Sequence, residues 1–261
     1  MIGIFDSGLG GLTALKEAIR LMPNESFIYF GDTGRVPYGT RSRDTIIQYT
    51  DQALRFFASR NVSSVLAACG TVSSVALEAV KEKYPFPIIG VVEGAAKAAI
   101  KISKSKKIAV IGTAATVSSG SFEKAVKKLS PDAETLGVAC PLFVPLVENG
   151  FISPDDAVTL EVARRYLEPI KDFGADTLIL GCTHFPIISE AIKKVLPSVT
   201  LINSGFEAAH ALLCQIKASS DQNGEIEFYV SDNPENFSAV ASIFLGEDFC
   251  GGVKTVEIQN Y

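Results

Sequence analysis

Residues 177–186 read TLILGCTHFP, an apolar run that ends at Gly181 and presents the thiol of Cys182 immediately afterwards. A short apolar run of this kind predicts a buried parallel strand, and the periodic segment at residues 187–196 predicts a helix. The sequence therefore predicts a thiol at the carboxyl end of a strand, where ligands and reacting groups gather in α/β folds.

A second stretch has the same layout. Residues 64–71 read SVLAACGT, so that Cys69 follows an apolar run and a helix-like segment at residues 75–84 comes next. A free cysteine taken alone is most often a small buried core residue. Two cysteines in matching positions, each close to a threonine, favour a functional pair instead.

The whole chain alternates short apolar runs with amphipathic segments, which is typical of parallel α/β units. Further strands are expected at residues 2–5, 27–30, 87–92, 107–111, 135–139, 199–203, 225–230 and 255–258, and helices at 12–22, 44–60, 121–129, 154–170 and 234–245. The proline-broken segment at residues 140–148 is expected to form a buried loop.

The spacing indicates an internal duplication. Asp6 precedes Cys69 by 63 residues and Gly112 precedes Cys182 by 70 residues, so each half has a polar strand end followed by a cysteine strand end. The predicted fold class is α/β, with two pseudo-symmetric α/β domains whose mostly parallel sheets face a shared active-site cleft. The predicted boundaries are residues 1–97 plus 208–261 for the first domain, completed by the C-terminal segment, and 98–207 for the second.

Composition excludes several classes of function. The net charge of −5 disfavours nucleic-acid binding, which needs clustered lysines and arginines. Five cysteines without Cys-x-x-Cys spacing and two histidines argue against a disulfide framework and a metal site. No apolar run approaches the ~20 residues of a membrane span, and no secretory signal is visible, so we expect a cytoplasmic protein without membrane contacts.

Two facing thiols suit proton transfer at carbon. The positive end of a helix N-terminus is expected to lower the pKa of each thiol and to favour the thiolate. One thiolate would then remove a proton from one face of a carbon atom, and the other thiol would return a proton to the opposite face. A Cys-x5-Arg phosphatase loop is excluded by Val75; a redox disulfide between the thiols is geometrically possible, although nothing in the sequence requires it.

Other polar residues stand at strand ends. The run Asp6-Ser7-Gly8-Leu9-Gly10-Gly11 is a weak dinucleotide fingerprint, but it suits an ammonium at Asp6 and a carboxylate at Ser7. A plain strand–helix turn would explain its glycines and not Asp6.

Three further sites each have more than one interpretation. The loop Pro37-Tyr38-Gly39 is either a turn or a backbone carboxylate site. Glu148 is either a solvated edge or a proton-handling group. His184 is a metal ligand, an acid or base that tunes Cys182, or a structural histidine.

Taken together, these residues resemble the glutamate racemases of the cofactor-independent aspartate/glutamate racemase superfamily. The resemblance covers residues 2 to about 245 and rests on FDSGLGGLT (5–13), GDTGRVPYG (31–39), CPLFVPLVE (140–148) and GCTHFP (181–186), with FYVSD (228–232) and FLG (244–246) in support.

The resemblance implies a two-base mechanism without metal, pyridoxal phosphate or any other cofactor. Cys69 would act on the D-glutamate proton and Cys182 on the L-glutamate proton, with Asp6 assisting Cys69, and Glu148 and His184 assisting Cys182. The implied substrate-binding residues are Asp6, Ser7, Pro37, Tyr38, Gly39, Gly70, Thr71, Thr113, Thr183 and His184. The family supplies D-glutamate for bacterial peptidoglycan, and therefore for cell wall biogenesis and cell shape, and its members often form homodimers.

The chain departs from the family pattern at Gly70, where the family usually has asparagine between the cysteine and the threonine. Loss of that side-chain contact would cost on the order of 1–3 kcal/mol of substrate binding. Two alternatives therefore stay open: a racemase of another acidic amino acid such as aspartate, and an amino-acid-binding homologue with impaired catalysis. A smaller departure is Gly94 in place of the usual proline after Glu93.

Overall fold

The computed structural model describes residues 1–216, 224–246, 249 and 251–261. The strands are β1 (Ile2–Asp6), β2 (Phe27–Gly31), β3 (Ser64–Ala67), β4 (Ile88–Gly90), β5 (Lys107–Gly112), β6 (Glu134–Ala139), β7 (Thr177–Leu180), β8 (Thr200–Asn203), β9 (Ile226–Val230) and β10 (Val253–Thr255). The α-helices are α1 (Leu12–Leu21), α2 (Arg43–Ser59), α3 (Gly70–Val75), α4 (Leu77–Val80), α5 (Val91–Ile102), α6 (Ala114–Ser119), α7 (Ser121–Leu129), α8 (Phe143–Glu148), α9 (Ala157–Phe173), α10 (Ser189–Val195), α11 (Ser204–Gln215) and α12 (Pro234–Leu245).

The strands form two separate parallel sheets. The first has the order β10-β9-β2-β1-β3-β4 and the second has the order β6-β5-β7-β8, and every strand pair in both sheets is parallel. The predicted α/β fold class with two mostly parallel sheets is confirmed.

Helices cover both faces of the first sheet, which explains why its central strands are apolar without interruption. Ile4 of β1 packs into the core that runs through α1, α5 and α11. The next residue, Phe5, points to the opposite face and stacks on Phe30. The first of these cores also includes Val110 of β5, so that it is continuous between the two sheets.

Two helices connect the sheets. The predicted domain boundaries at residues 97 and 207 fall inside α5 and α11, which pack against each other. The C-terminal segment returns to the first sheet, where its strand β9 pairs with β2, for example through Tyr29 and Phe228. The boundaries themselves stay predictions.

Several local expectations were wrong. Residues 140–148 are not a loop throughout, because residues 143–148 form α8; Pro145 lies in its first turn, where a missing N–H costs little. The segment after Cys69 forms two short helices rather than one long helix. The helix expected at residues 187–196 is present as α10, but a turn and the 3₁₀ helix Phe185–Ile188 separate it from Cys182. The expected last strand at residues 255–258 is instead β10, which ends at Thr255.

Glu93 also lies elsewhere than expected, in the first turn of α5, because β4 ends at Gly90. None of the described helices is long and apolar enough to span a membrane.

Candidate active site

The carboxyl ends of the two sheets meet, and hydrogen bonds join them. Thr13 donates its hydroxyl to the carbonyl of Thr183 over 2.9 Å. The hydroxyls of Thr71 and Thr113 lie 2.9 Å apart. Since β1 and β3 belong to one sheet and β5 and β7 to the other, the structure brings the two predicted cysteine strand ends to one place.

Cys69 lies at the N-cap of α3 and is only 6% exposed. Its thiol donates to the hydroxyl of Ser7 over 3.3 Å. Burial, together with the nearby carboxylate of Asp6, raises the pKa of Cys69 to about 12. The expectation of a lowered pKa was therefore wrong for Cys69, because burial and the charge of Asp6 outweigh the hydrogen bonds with Ser7 and with the backbone of Val72.

Asp6 is 1% exposed beside that thiol. Its Oδ2 accepts a hydrogen bond from the backbone N–H of Gly8 at 2.9 Å, whereas its Oδ1 has no partner among the described residues. Burial raises the pKa of Asp6, and the positive charge of His184 opposes that rise. An unpartnered buried carboxyl oxygen next to Cys69 is able to accept a hydrogen bond from a bound ammonium group.

Cys182 has a different environment, although it is equally buried at 7% exposed. Its sulfur lies 3.9 Å from Nδ1 of His184, and Nε2 of that ring lies 2.9 Å from Oε1 of Glu148. Burial works to lower the pKa of His184, but the hydrogen bonds to Cys182 and Glu148 raise it to about 10. At neutral pH the ring is therefore an imidazolium, whose positive charge lies beside the sulfur of Cys182.

The threonines predicted to bind substrate line the same junction. Thr71 and Thr183 are buried at 2% and 7% exposed, and Thr113 is half-buried. Thr113 also caps α6 by accepting from the N–H of Thr116 over 3.2 Å. Gly70 lies between Cys69 and Thr71 as the first residue of α3.

The loop at residues 37–39 reaches the second sheet through its backbone. Pro37 is exposed, whereas Tyr38 is buried and donates its hydroxyl to Asp32. A Cβ atom on Gly39 would lie 2.8 Å from Cβ of Thr113. The tyrosine hydroxyl is therefore already occupied, so the prediction of substrate contacts from this loop now concerns its backbone.

Sequence reasoning assigned no role to Asp32, which holds this loop in place. It is fully buried, and it accepts from Nε of Arg35 at 2.7 Å and from the hydroxyl of Ser231 at 2.7 Å in addition to Tyr38. An aspartate directly after a buried strand was the available signal. Its partner Ser231 lies 199 residues away, and no local pattern connects the two.

Known proteins match this chain over most of its length. A family model described as Asp/Glu/Hydantoin racemase matches residues 7–212. The chain belongs to this racemase family. It is 41% identical to the glutamate racemase of Geobacter metallireducens over 94% of this chain and 92% of that protein. It is 42% identical to the glutamate racemase of Aquifex aeolicus over 95% and 94%, respectively.

A solved structure of the racemase family has nearly the same backbone. The glutamate racemase of Francisella tularensis, crystallised with D-glutamate, matches with a TM-score of 0.91 and 37% identity over 100% of this chain and 98% of that chain. The expected relationship to glutamate racemases is confirmed, and the chain is an isomerase of the amino-acid racemase class. The aspartate racemase of Picrophilus torridus, at 17% identity and a TM-score of 0.57, shares the fold alone.

Within the described residues, no group of three or more histidine, cysteine, aspartate or glutamate side chains is arranged to hold a metal ion.

Proposed function

We propose that this racemase interconverts L-glutamate and D-glutamate by two-base proton transfer at Cα, with Cys182 and Cys69 as the two bases. The observation that carries the proposal is the contrast between two buried thiols at one junction. Cys182 lies beside an imidazolium, whereas the pKa of Cys69 is raised to about 12. A two-base racemase requires one thiolate and one thiol in each turnover, and these two unlike surroundings suit the two roles.

Conversion of L-glutamate begins at Cys182. Its thiolate takes the proton from Cα, the Cα–H bond breaks, and the electron pair stays on the substrate. The thiol of Cys69 then gives its proton to the opposite face of Cα, so that a new Cα–H bond forms and Cys69 becomes the thiolate. The reverse reaction starts from that second state, in which Cys69 is the thiolate and Cys182 the thiol.

The helper residues stabilise these charges. The imidazolium of His184, held by Glu148, balances the charge of the Cys182 thiolate before the proton is taken. The free oxygen of Asp6 accepts from the substrate's ammonium group, and Ser7, Thr71, Thr113 and Thr183 donate to its carboxylates. Burial of Asp6, Thr71, Thr183 and His184 strengthens the electrostatic contacts that these residues make.

Substitution of each cysteine tests the mechanism. Cys69→Ala and Cys182→Ala are each expected to abolish racemisation in both directions, followed by circular dichroism from pure L- and from pure D-glutamate. Cys214→Ala is the matched control, because Cys214 is an exposed free cysteine outside the junction. Full activity in either of the first two variants would exclude the two-thiol mechanism.

A second candidate is a racemase of another acidic amino acid such as aspartate. The observation that favours it is Gly70, which provides no side chain next to Cys69. A panel of L-amino acids under the same dichroism assay separates the two candidates, since the proposal requires glutamate to have the highest kcat/KM. Ligand binding without exchange at Cα would instead favour a binding protein.

The cellular role follows from the proposed reaction. A bacterial enzyme of this activity supplies D-glutamate for peptidoglycan in the cytoplasm, and we propose that it acts as a homodimer. Depletion of the protein in its host is expected to produce cell-shape defects that external D-glutamate relieves.

A further inference from the structure

Gly70, the first residue of α3, lies directly against Gly181, which follows β7 of the second sheet. A Cβ atom on Gly70 would lie 2.0 Å from the carbonyl oxygen of Gly181 and 3.7 Å from Cα of Cys182, and real Cβ atoms essentially never approach closer than 3.0 Å. The obstructing atom is a backbone oxygen, and its residue is held to β5 by a hydrogen bond from the Gly181 N–H to the carbonyl of Ile111 over 2.8 Å. A side chain at residue 70 therefore requires the two sheets to separate.

Two other glycines contact the opposite sheet, but against side chains. A Cβ atom on Gly10 would lie 2.1 Å from Oγ1 of Thr183, and one on Gly39 would lie 2.8 Å from Cβ of Thr113. The Thr183 hydroxyl is able to rotate away from a new atom, whereas Cβ of Thr113 and the backbone carbonyl of Gly181 move only with their backbone. Of the two contacts that side-chain rotation does not relieve, the one at Gly70 is closer, at 2.0 Å against 2.8 Å, so it limits the approach of the sheets most strictly.

This contact adjoins both thiols in sequence, since Cys69 precedes Gly70 and Cys182 follows Gly181. We propose that Gly70 is a positioning residue, whose missing side chain determines how closely Cys69 and Cys182 approach each other across the substrate. The effect of Gly70 on closure of the junction is a structural claim. Its consequence for catalysis rests on the racemase function proposed above.

The displacement that a methyl group would impose is large on the scale of proton transfer. Moving the Gly181 oxygen from 2.0 Å to the 3.0 Å limit requires a separation of at least 1 Å. A misplacement of about 1 Å at reacting groups lowers rates by up to about 100-fold. We expect Gly70→Ala to lower kcat for glutamate by about 10- to 100-fold, with a smaller change in KM because substrate is captured before the sheets close.

The experiment compares Gly70→Ala with Gly252→Ala. The second variant is the matched control, because a Cβ atom there would meet nothing within 4 Å. Without substrate, each protein is treated with iodoacetamide, and the labelling rate of each cysteine is measured by peptide mass spectrometry. Labelling of Cys69 and Cys182 is expected to rise about tenfold in Gly70→Ala, because the closed state that protects them is lost.

Cys140 serves as the internal control for folding. It is fully buried in the core, so that its protection in Gly70→Ala distinguishes an opened junction from an unfolded protein. Alanine is a better helix former than glycine at the start of α3, so the variant is expected to fold.

The outcomes are distinguishable. Faster labelling of Cys69 and Cys182 with Cys140 protected, together with a lower kcat, supports the proposal. Unchanged labelling overturns it, even if kcat falls, since Gly70 would then act as a substrate contact and not through closure. Faster labelling in a protein whose parent form does not racemise glutamate supports closure and overturns the proposed function.

Discussion

Glu148→Gln removes the negative charge that holds His184 as an imidazolium. The carboxylate oxygen lies 2.9 Å from Nε2 of that ring, and the Glu148 side chain is 39% exposed. Two unit charges about 4 Å apart interact by about 1 kcal/mol in water and about 4 kcal/mol near a protein surface. The partial exposure places this pair at about 1–2 kcal/mol, which lowers the pKa of His184 by about one in the variant.

The direction of the effect on pH dependence follows from the sign of that change. The pKa of His184 is raised to about 10 in the protein, so that the imidazolium is present below that pH and is lost above it. In Glu148→Gln the loss begins at lower pH, and the alkaline limb of kcat/KM for L-glutamate is expected to move down by about one pH unit. At pH 9.5 this amounts to about a threefold loss relative to the parent protein.

The assay is kcat/KM against pH from both enantiomers, with circular dichroism detection. Glu161→Gln is the matched control, because Glu161 pairs with Arg164 and Arg165 on the exposed surface of α9. An alkaline limb that stays in place in Glu148→Gln, with only KM raised, would refute the role of Glu148 in charging His184.

Two further predictions concern the supports of the site. Asp32→Asn breaks a buried ion pair and is expected to lower the free energy of unfolding by about 3–5 kcal/mol in urea titrations and to raise KM for glutamate. The control, Asp132→Asn, removes an exposed ion pair and should leave both quantities nearly unchanged. Phe244→Ala removes a fully buried ring that packs edge-on against His184, and it is expected to lower the free energy of unfolding by about 3–5 kcal/mol in the same titration. The same substitution at Phe151, which is 40% exposed, should lower it far less. Equal losses in the two variants would contradict the packing argument.

The fold could be predicted from sequence because buried parallel strands carry a local signal. The run at residues 177–180 has three apolar residues in succession and is buried on both faces, and so is the run at residues 64–67 before Cys69. The helix at residues 143–148 is hard to predict because a proline such as Pro145 usually indicates a helix break, although a proline in the first turn of a helix disturbs little.

The pairing of the two thiols could be inferred from the duplication, but their electrostatic states could not. The pKa of Cys69 depends on burial and on Asp6, which lies 63 residues away, and the charge of His184 depends on Glu148, which lies 36 residues away. The close contact between Gly70 and Gly181 is also invisible in sequence, since it depends on how two sheets dock.

Isotope transfer in heavy water tests the two-base mechanism most directly. The protein is incubated with L-glutamate in D₂O, and both enantiomers are separated and analysed at low conversion. The account predicts that D-glutamate carries deuterium at Cα, delivered by Cys69, while residual L-glutamate keeps its original protium because Cys182 returns it. D-glutamate that retains the substrate proton, or deuterium that enters residual L-glutamate at the same early rate, would contradict it.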